Sequence, residues 1–176
     1  MANPQHIEWL LEGVEAWNAR REGLAFVPDF VRADIYKVFR NGNLLDDLGK
    51  IPLQKINLQG ANLSLCNLQL ANLYGAILEG ANLINANLSS TLLIGARLTG
   101  TDLILANLEG ATLIGAQLSD ANLQRANLTN ANLNGATVVN ANLIDANLRG
   151  TSLAGTEMWK AILFPEGLSP KQYSFS

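Results

Sequence analysis

One histidine, one cysteine and fifteen carboxylates are the side chains from which this chain could build a reactive centre. His6 leaves no second imidazole for His-dependent acid–base work, and a single histidine there reads as structural or exposed. Cys66 occupies a slot otherwise filled by small residues, which points to a packed core thiol rather than a nucleophile. With only one cysteine, a disulfide within the chain is excluded. Asp46 and Asp47 are adjacent, and adjacent carboxylates are usually solvated rather than metal-bound. No glycine precedes a Lys-Ser or Lys-Thr pair, so no phosphate-cradling loop is present. These residues predict no enzyme, no cofactor and no metal site.

The elements that hold the side chains follow from a different spacing. Every fifth residue from Leu53 to Leu163 is large and apolar, twenty-three positions in all, of which twenty-one are Leu and the others Val138 and Met158. Two residues before each lies a small one: Ala sixteen times, Thr at 91, 101, 151 and 156, and Ile51, Ile56 and Cys66 at the rest. The unit is A-N-L-x-x, as in Ala121-Asn122-Leu123-Gln124-Arg125. A fixed period dictates the architecture. A helix needs apolar spacings of three and four and a strand needs two, so five fits neither. The small residue and the Leu share one side of a short extended segment. The residue between them, Asn at twelve of twenty-three positions, points the other way.

The chain must then turn. The second residue after each Leu is Gly at ten of twenty-two sites, and Asn or Asp at five more. Both types tolerate the positive φ that the third residue of a type II turn requires. Leu65, Leu70, Ser90, Leu105 and Arg125 are among the seven that break the rule, and those corners are expected not to be type II. A corner every five residues closes a ring, and a square ring of twenty would stack Leu on Leu. Adjacent coils would pair as short parallel strands ~4.8 Å apart, giving about 5.75 coils and a prism roughly 27 Å long.

The run of A(N/D)LxxANLxx units resembles the pentapeptide repeat family over about two-thirds of the chain. That resemblance implies an all-β solenoid, a right-handed quadrilateral parallel β-helix; the four sides and the handedness come from it. The stretch Gly13-Val14-Glu15-Ala16-Trp17-Asn18 resembles the helical caps of cyanobacterial members, implying an N-terminal α-helical cap.

The flanks carry their own signals. Asn3-Pro4 starts a helix, Ile7, Leu10, Leu11, Val14 and Trp17 recur at helical spacing, and Gly23 is a stop, predicting one helix over about 4–21. Its apolar face would cover the first coil, whose bare end exposes Leu and unpaired strand edges. Over 28–37 two readings stand: two further repeat units at Pro28-Asp29-Phe30 and Ala33-Asp34-Ile35, which is preferred, or a helix using Val31, Ile35, Val38 and Phe39. The eighteen-residue step from Ile35 to Leu53 requires an insertion. Residues 43–49 read as a short helical turn ending at Gly49. Trp159, Phe164, Tyr173 and Phe175 would fold over the last coil, or form a dimer contact. The chain thus divides into a helical cap (1–27), a partial first coil with an inserted loop or short helix (28–50), the β-helix (51–164) and a C-terminal tail or cap (165–176).

Charge is sparse: 15% of residues, net −3. Between 51 and 163 six acids face five bases, so no basic stripe suggests nucleic acid. No apolar stretch is long enough to span a bilayer, and the N-terminus reads as lacking a signal peptide, so the expectation is a cytoplasmic protein. Stepping by twenty from residue to residue reads the outward columns. One side carries Tyr74, Ile94 and Ile114 with Leu92; the opposite side carries Ile84, Ile104 and Ile144 with Leu105 at its corner. Outward Ile satisfies β-propensity alone, or it marks a partner surface. These eight residues are the candidate surface for an unidentified protein partner, the chain being a monomer or a dimer through its C-terminal end. The resemblance implies a non-catalytic interaction module or scaffold. It also admits a DNA-mimic regulator of DNA gyrase, or a regulator of cyanobacterial cell differentiation. Mimicry requires dense acidic columns, which this surface lacks.

Overall fold

The computed structural model describes residues 1–164. Between 51 and 163 the chain winds as a four-sided prism. Each side is so short that it gives the ladder little more than its central residue. The pairings step by twenty, all parallel: Asn62 with Asn82, Asn82 with Asp102, Asp102 with Asn122 and Asn122 with Asn142. Only β1 (Ile51–Pro52) and β2 (Ala71–Asn72) extend to two residues, and they pair with each other.

The backbone bonds repeat with the sequence. In each unit the central residue donates its N–H to the coil before, as Asn82 does to Ala61 O at 2.9 Å. In the units that have a coil after them, the Leu and the corner residue donate to it, as Leu63 does to Asn82 O and Leu65 to Ile84 O, at 2.8 and 2.9 Å. The small residue closes the turn, as Cys66 N–H does on Leu63 O at 3.1 Å. One N–H per unit remains, that of the residue just after Leu, and it points outward. The central Asn takes it: Asn82 Oδ1 accepts the Ile84 N–H at 3.0 Å, and Asn132 Oδ1 the Asn134 N–H at 3.0 Å. An Asx turn within the units that carry Asn there is therefore one reason for Asn in that slot. A second reason is confined to one side, where Asn127, Asn107 and Asn87 each donate Nδ2 to the amide oxygen one coil earlier. Asn67 ends this ladder on the Asp34 carboxylate at 2.9 Å.

The leucines at every fifth position from 53 to 143, with Val138, fill the axis and are buried, with alanines packed between them. Burial of each Leu contributes about 1.5–3 kcal/mol. Thr91 and Thr101 are buried without an orphan hydroxyl, since Oγ1 donates to Leu88 O and Leu78 O at 2.7 and 2.9 Å.

The corners depart from expectation. Leu65, Leu70, Ser90, Leu105 and Arg125 have φ of +55° to +60°, as do the Asn and Asp corners, and glycine corners such as Gly95 at +63° lie close by. These five therefore turn as the others do. A non-glycine residue there costs about 1–2 kcal/mol. The cost is overridden because each corner N–H is held by the next coil, including Leu105 N–H on Gln124 O at 3.1 Å and Arg125 N–H on Ile144 O at 2.9 Å.

The single helix expected over 4–21 is two, α1 (Pro4–Leu11) and α2 (Val14–Gly23). Gly13 breaks them apart with φ +99°. The break lets α2 lie against the first coil. Trp17 is fully buried and donates Nε1–H to Asn57 O at 2.8 Å. The Asn18 amide substitutes for a missing strand: its Oδ1 accepts the Asn57 N–H and its Nδ2 donates to Lys55 O, at 2.8 and 3.0 Å. Arg21 Nη2 donates to Gln59 O at 2.8 Å. His6 packs among Trp9, Phe26 and Phe30, and its Nδ1 accepts the Asp29 N–H at 3.0 Å.

Both readings of 28–37 hold in part. Residues 28–34 form a half coil under the next, with Asp29 paired to Asn62 and Asp34 to Asn67. Phe30 and Ile35 take the buried Leu slots. The chain then leaves as α3 (Ile35–Asn41), the start of the insertion. Residues 43–49 are not helical: Asp46 O accepts the Gly49 N–H, and Asp46 Oδ1 accepts from Leu48 and Lys50. The Asp46 carboxylate is thus occupied by its own turn.

At the other end Leu148, Leu153 and Leu163 are only partly buried. Met158–Lys160 forms a 3-10 turn, and Trp159 on it is 77% exposed rather than folded onto the coil. Phe164 is half-buried, while Tyr173 and Phe175 lie outside the described residues.

Candidate partner surface

Outward positions on a square coil are the central residue, the one after Leu, and the corner. Ile94 O accepts the Gly75 N–H and Ile114 O the Gly95 N–H, both at 2.9 Å. Tyr74, Ile94 and Ile114 therefore stand in register on three successive coils, with Leu92 beside Ile94. Tyr74 is 50% and Ile114 40% exposed, while Leu92 and Ile94 are half-buried between their neighbours.

The opposite side brings together fewer of the expected residues. Ile84 and Ile104 are adjacent and half-buried, and Leu105 at their corner is 41% exposed. Ile144 lies on the same side but is separated from Ile104 by the coil of Gln124. The eight residues thus make two separate patches. Sequence reading passed over Leu65, 47% exposed at the same corner two coils before Leu105. The signal lies in the spacing, since the two are two twenties apart along one corner column. Ile162, paired through the ladder to Asn142, and Val139 are exposed as well.

The remaining sides are polar and largely self-satisfied. Arg97 pairs with Glu79 at 2.7 Å, and Asn140 Nδ2 donates to Asp120 Oδ1 at 3.1 Å. Cys66 lies inside with its thiol pushed up to about 12, chiefly by burial, so it carries no thiolate at neutral pH. No group of three His, Cys, Asp or Glu side chains among the described residues could hold a metal ion, and none of the described helices is long and apolar enough to cross a membrane.

Against this geometry the family model described as pentapeptide repeats matches in eight copies, over residues 53–89, 91–130 and 131–163. The chain is a pentapeptide repeat protein. Its fold is the right-handed quadrilateral β-helix of that family. Among solved structures it is similar to HetL, a pentapeptide repeat protein involved in heterocyst differentiation regulation in Nostoc sp. strain PCC 7120, with 34% identity, 66% of this chain and 65% of that one covered, and a TM-score of 0.35. It is similar to a second pentapeptide repeat protein of Nostoc PCC 7120 at 30% identity, 69% and 80% coverage and a TM-score of 0.30. It also matches trypsin-treated QnrB1, a plasmid-mediated fluoroquinolone resistance protein, at 20% identity, 62% and 65% coverage and a TM-score of 0.45. The chain spans 65% of the length of both HetL and QnrB1. No match is found among curated protein sequences. The pentapeptide repeat family is generally non-catalytic.

Proposed function

We propose that this protein is a non-catalytic protein–protein interaction module, a rigid prism whose sides present apolar columns to a protein partner. The observation that carries the reading is the in-register column of Tyr74, Ile94 and Ile114, aligned by the ladder with Tyr74 and Ile114 exposed and Ile94 half-buried between them. Grouped exposed apolar residues on a rigid element mark partner sites. The reactive groups point the same way: Cys66 is buried as a neutral thiol, and His6 is held in the aromatic cap. A gyrase-directed mimic of DNA is not favoured, because the prism carries six acids against five bases.

Replacing Ile94→Asp and Ile114→Asp together tests the reading. Both side chains point outward, so the circular dichroism spectrum and melting midpoint should stay close to those of the unaltered chain. A protein captured from lysate by the unaltered chain and lost by the double variant supports the reading. Equal capture by both, or none by either, counts against it.

A further inference from the structure

Asparagine recurs along the whole chain, but only Asn41 and Asn134 precede glycine. A side-chain amide can be attacked by the backbone nitrogen of the following residue. Glycine, with no Cβ, leaves that nitrogen most accessible and its backbone freest to bend into the attack. The two pairs stand in opposite settings. Asn134 lies on the prism, partly buried. Its Oδ1 accepts from Ser152 Oγ and from the Ala154 N–H at 2.7 and 2.8 Å, and the Gly135 N–H is held by Ala154 O at 2.8 Å. Both reacting groups are thus tied to the following coil. Asn41 is the last residue of α3, exposed beside exposed Gly42. Its side-chain amide has no hydrogen-bond partner among the described residues. The Gly42 N–H is held only by the turn before it, on Val38 O at 3.1 Å. α3 is seven residues long, and the end of so short a helix opens at little cost.

We propose that Asn41 is a site of spontaneous covalent modification, converted with time to aspartate and isoaspartate, while the ladder protects Asn134. The proposal goes beyond the interaction-module reading and does not depend on it. The only co-reactant is water. When the last turn of α3 opens, the Gly42 nitrogen gives its proton to solvent base and bonds to Asn41 Cγ. The bond from Cγ to Nδ2 breaks, and Nδ2 takes a proton from solvent and leaves as ammonia. The product is a five-membered cyclic imide. Water then adds to one of its two carbonyls. Opening the ring at Cγ leaves aspartate in the original backbone. Opening it at the main-chain carbonyl routes the chain through the side chain, as isoaspartate. The sum is water taken up and ammonia released, with nothing oxidised or reduced. Either product changes α3. A carboxylate in the last turn opposes the helix dipole. Isoaspartate also adds a carbon to the backbone next to a turn in which the Leu44 N–H is bound to the carbonyl of buried Phe39 at 2.9 Å. The change is therefore confined to the insertion and leaves the prism as it is. Asn134 reacts only where the last coil comes away and frees both its amide and the Gly135 N–H.

Incubating the full chain in mildly alkaline buffer, then cleaving it and following the peptides by mass spectrometry, tests this. The peptide carrying Asn41 should gain the mass of an amide turned to an acid at least about tenfold faster than the peptide carrying Asn134, because a helix end opens more often than stacked coils. It should also split into two chromatographic forms, aspartate and isoaspartate. In denaturant the two asparagines should convert at similar rates, since each then presents the same dipeptide to solvent. Gly42→Ala should slow conversion at Asn41 about tenfold or more, because the added Cβ hinders the attacking nitrogen. Its melting midpoint should stay close to that of the unaltered chain: φ at position 42 is −82°, and the nearest atom to the new Cβ is the Leu44 Cδ1 at 3.2 Å, a side-chain end that can shift. The proposal is overturned if Asn134 converts as fast as Asn41 in the folded chain. It is overturned equally if Asn41 stays unconverted over a period in which the denatured chain converts, or if Gly42→Ala converts at the unaltered rate. The same excess of Asn41 over Asn134 in denaturant would assign the difference to neighbouring sequence and overturn the role given to the ladder.

Discussion

Asn in the central slot and Leu in the inward slot do different work, and a period-five pattern exposes only the second plainly. Leu is repeated because the axis must be filled; Asn recurs because its Oδ1 takes the one N–H per unit that no neighbouring coil reaches, as at Ile84 and Asn134. Cys66 shows what the axis does to a titratable group. Burial is the main reason its thiol is pushed up from 9.0 to about 12. Its folded pKa therefore exceeds its unfolded value, so the native state holds the proton longer between those values. Stability contributed by this group is complete below about pH 9 and falls as pH rises toward 12, by about 1.4 kcal/mol per unit. The difference in unfolding free energy between the unaltered chain and Cys66→Ala should narrow or reverse between pH 9 and 11, because the Ala variant lacks this titration. A constant difference over that range would show that the thiol titrates normally in the folded chain.

The elements divide into those the pattern specified and those it did not. The square coils and the inward leucines were legible because stacking reproduces each residue's environment every twenty positions; the half coil at 28–34 showed only as two five-residue units out of phase with the rest, since the insertion sets Asp29 under Asn62 and Asp34 under Asn67. The break at Gly13 and the positive φ at Leu65 and Arg125 were not, because tertiary bonds decide them. A glycine in an amphipathic stretch does not show that α2 must turn to meet Asn57, and a Leu at a corner does not reveal the ladder bond that holds it. The cap is where α2 matters most. Trp17→Ala removes a fully buried indole from the end of the core and should cost about 3–5 kcal/mol. Trp17→Phe keeps most of the packing but leaves Asn57 O without its partner, and should cost about 1–3 kcal/mol. Denaturant midpoints at constant m-value measure both. A Trp17→Phe variant as stable as the unaltered chain would mean that the hydrogen bond adds nothing to the packing.

At the scale of the whole molecule the candidate surface was half legible: columns read by twenties reach Tyr74, Ile94 and Ile114, whereas Leu65 lies on a corner column, two twenties before Leu105. The solenoid itself has no long-range core beyond contact between successive coils, so its stability is close to a sum of neighbour terms. The two ends are unequal. The N-terminal coil is closed by Trp17, Asn18 and Arg21, and Leu53 and Leu58 are buried as fully as Leu103. The C-terminal coil has Leu148, Leu153 and Leu163 only partly buried. Opening should therefore begin there and travel toward the middle. Native-state hydrogen exchange should show amide protection rising from the 141–160 coil to the 81–120 coils, with 51–70 protected like the middle. The ladder amides of Leu128 and Leu88 offer a direct pair, both bonded to the following coil at 2.9 and 2.7 Å. Leu128 should exchange faster, because its acceptor Asn147 lies in the coil that opens first. Equal protection along the prism would mean that it unfolds as one cooperative unit, and that neither end limits its stability.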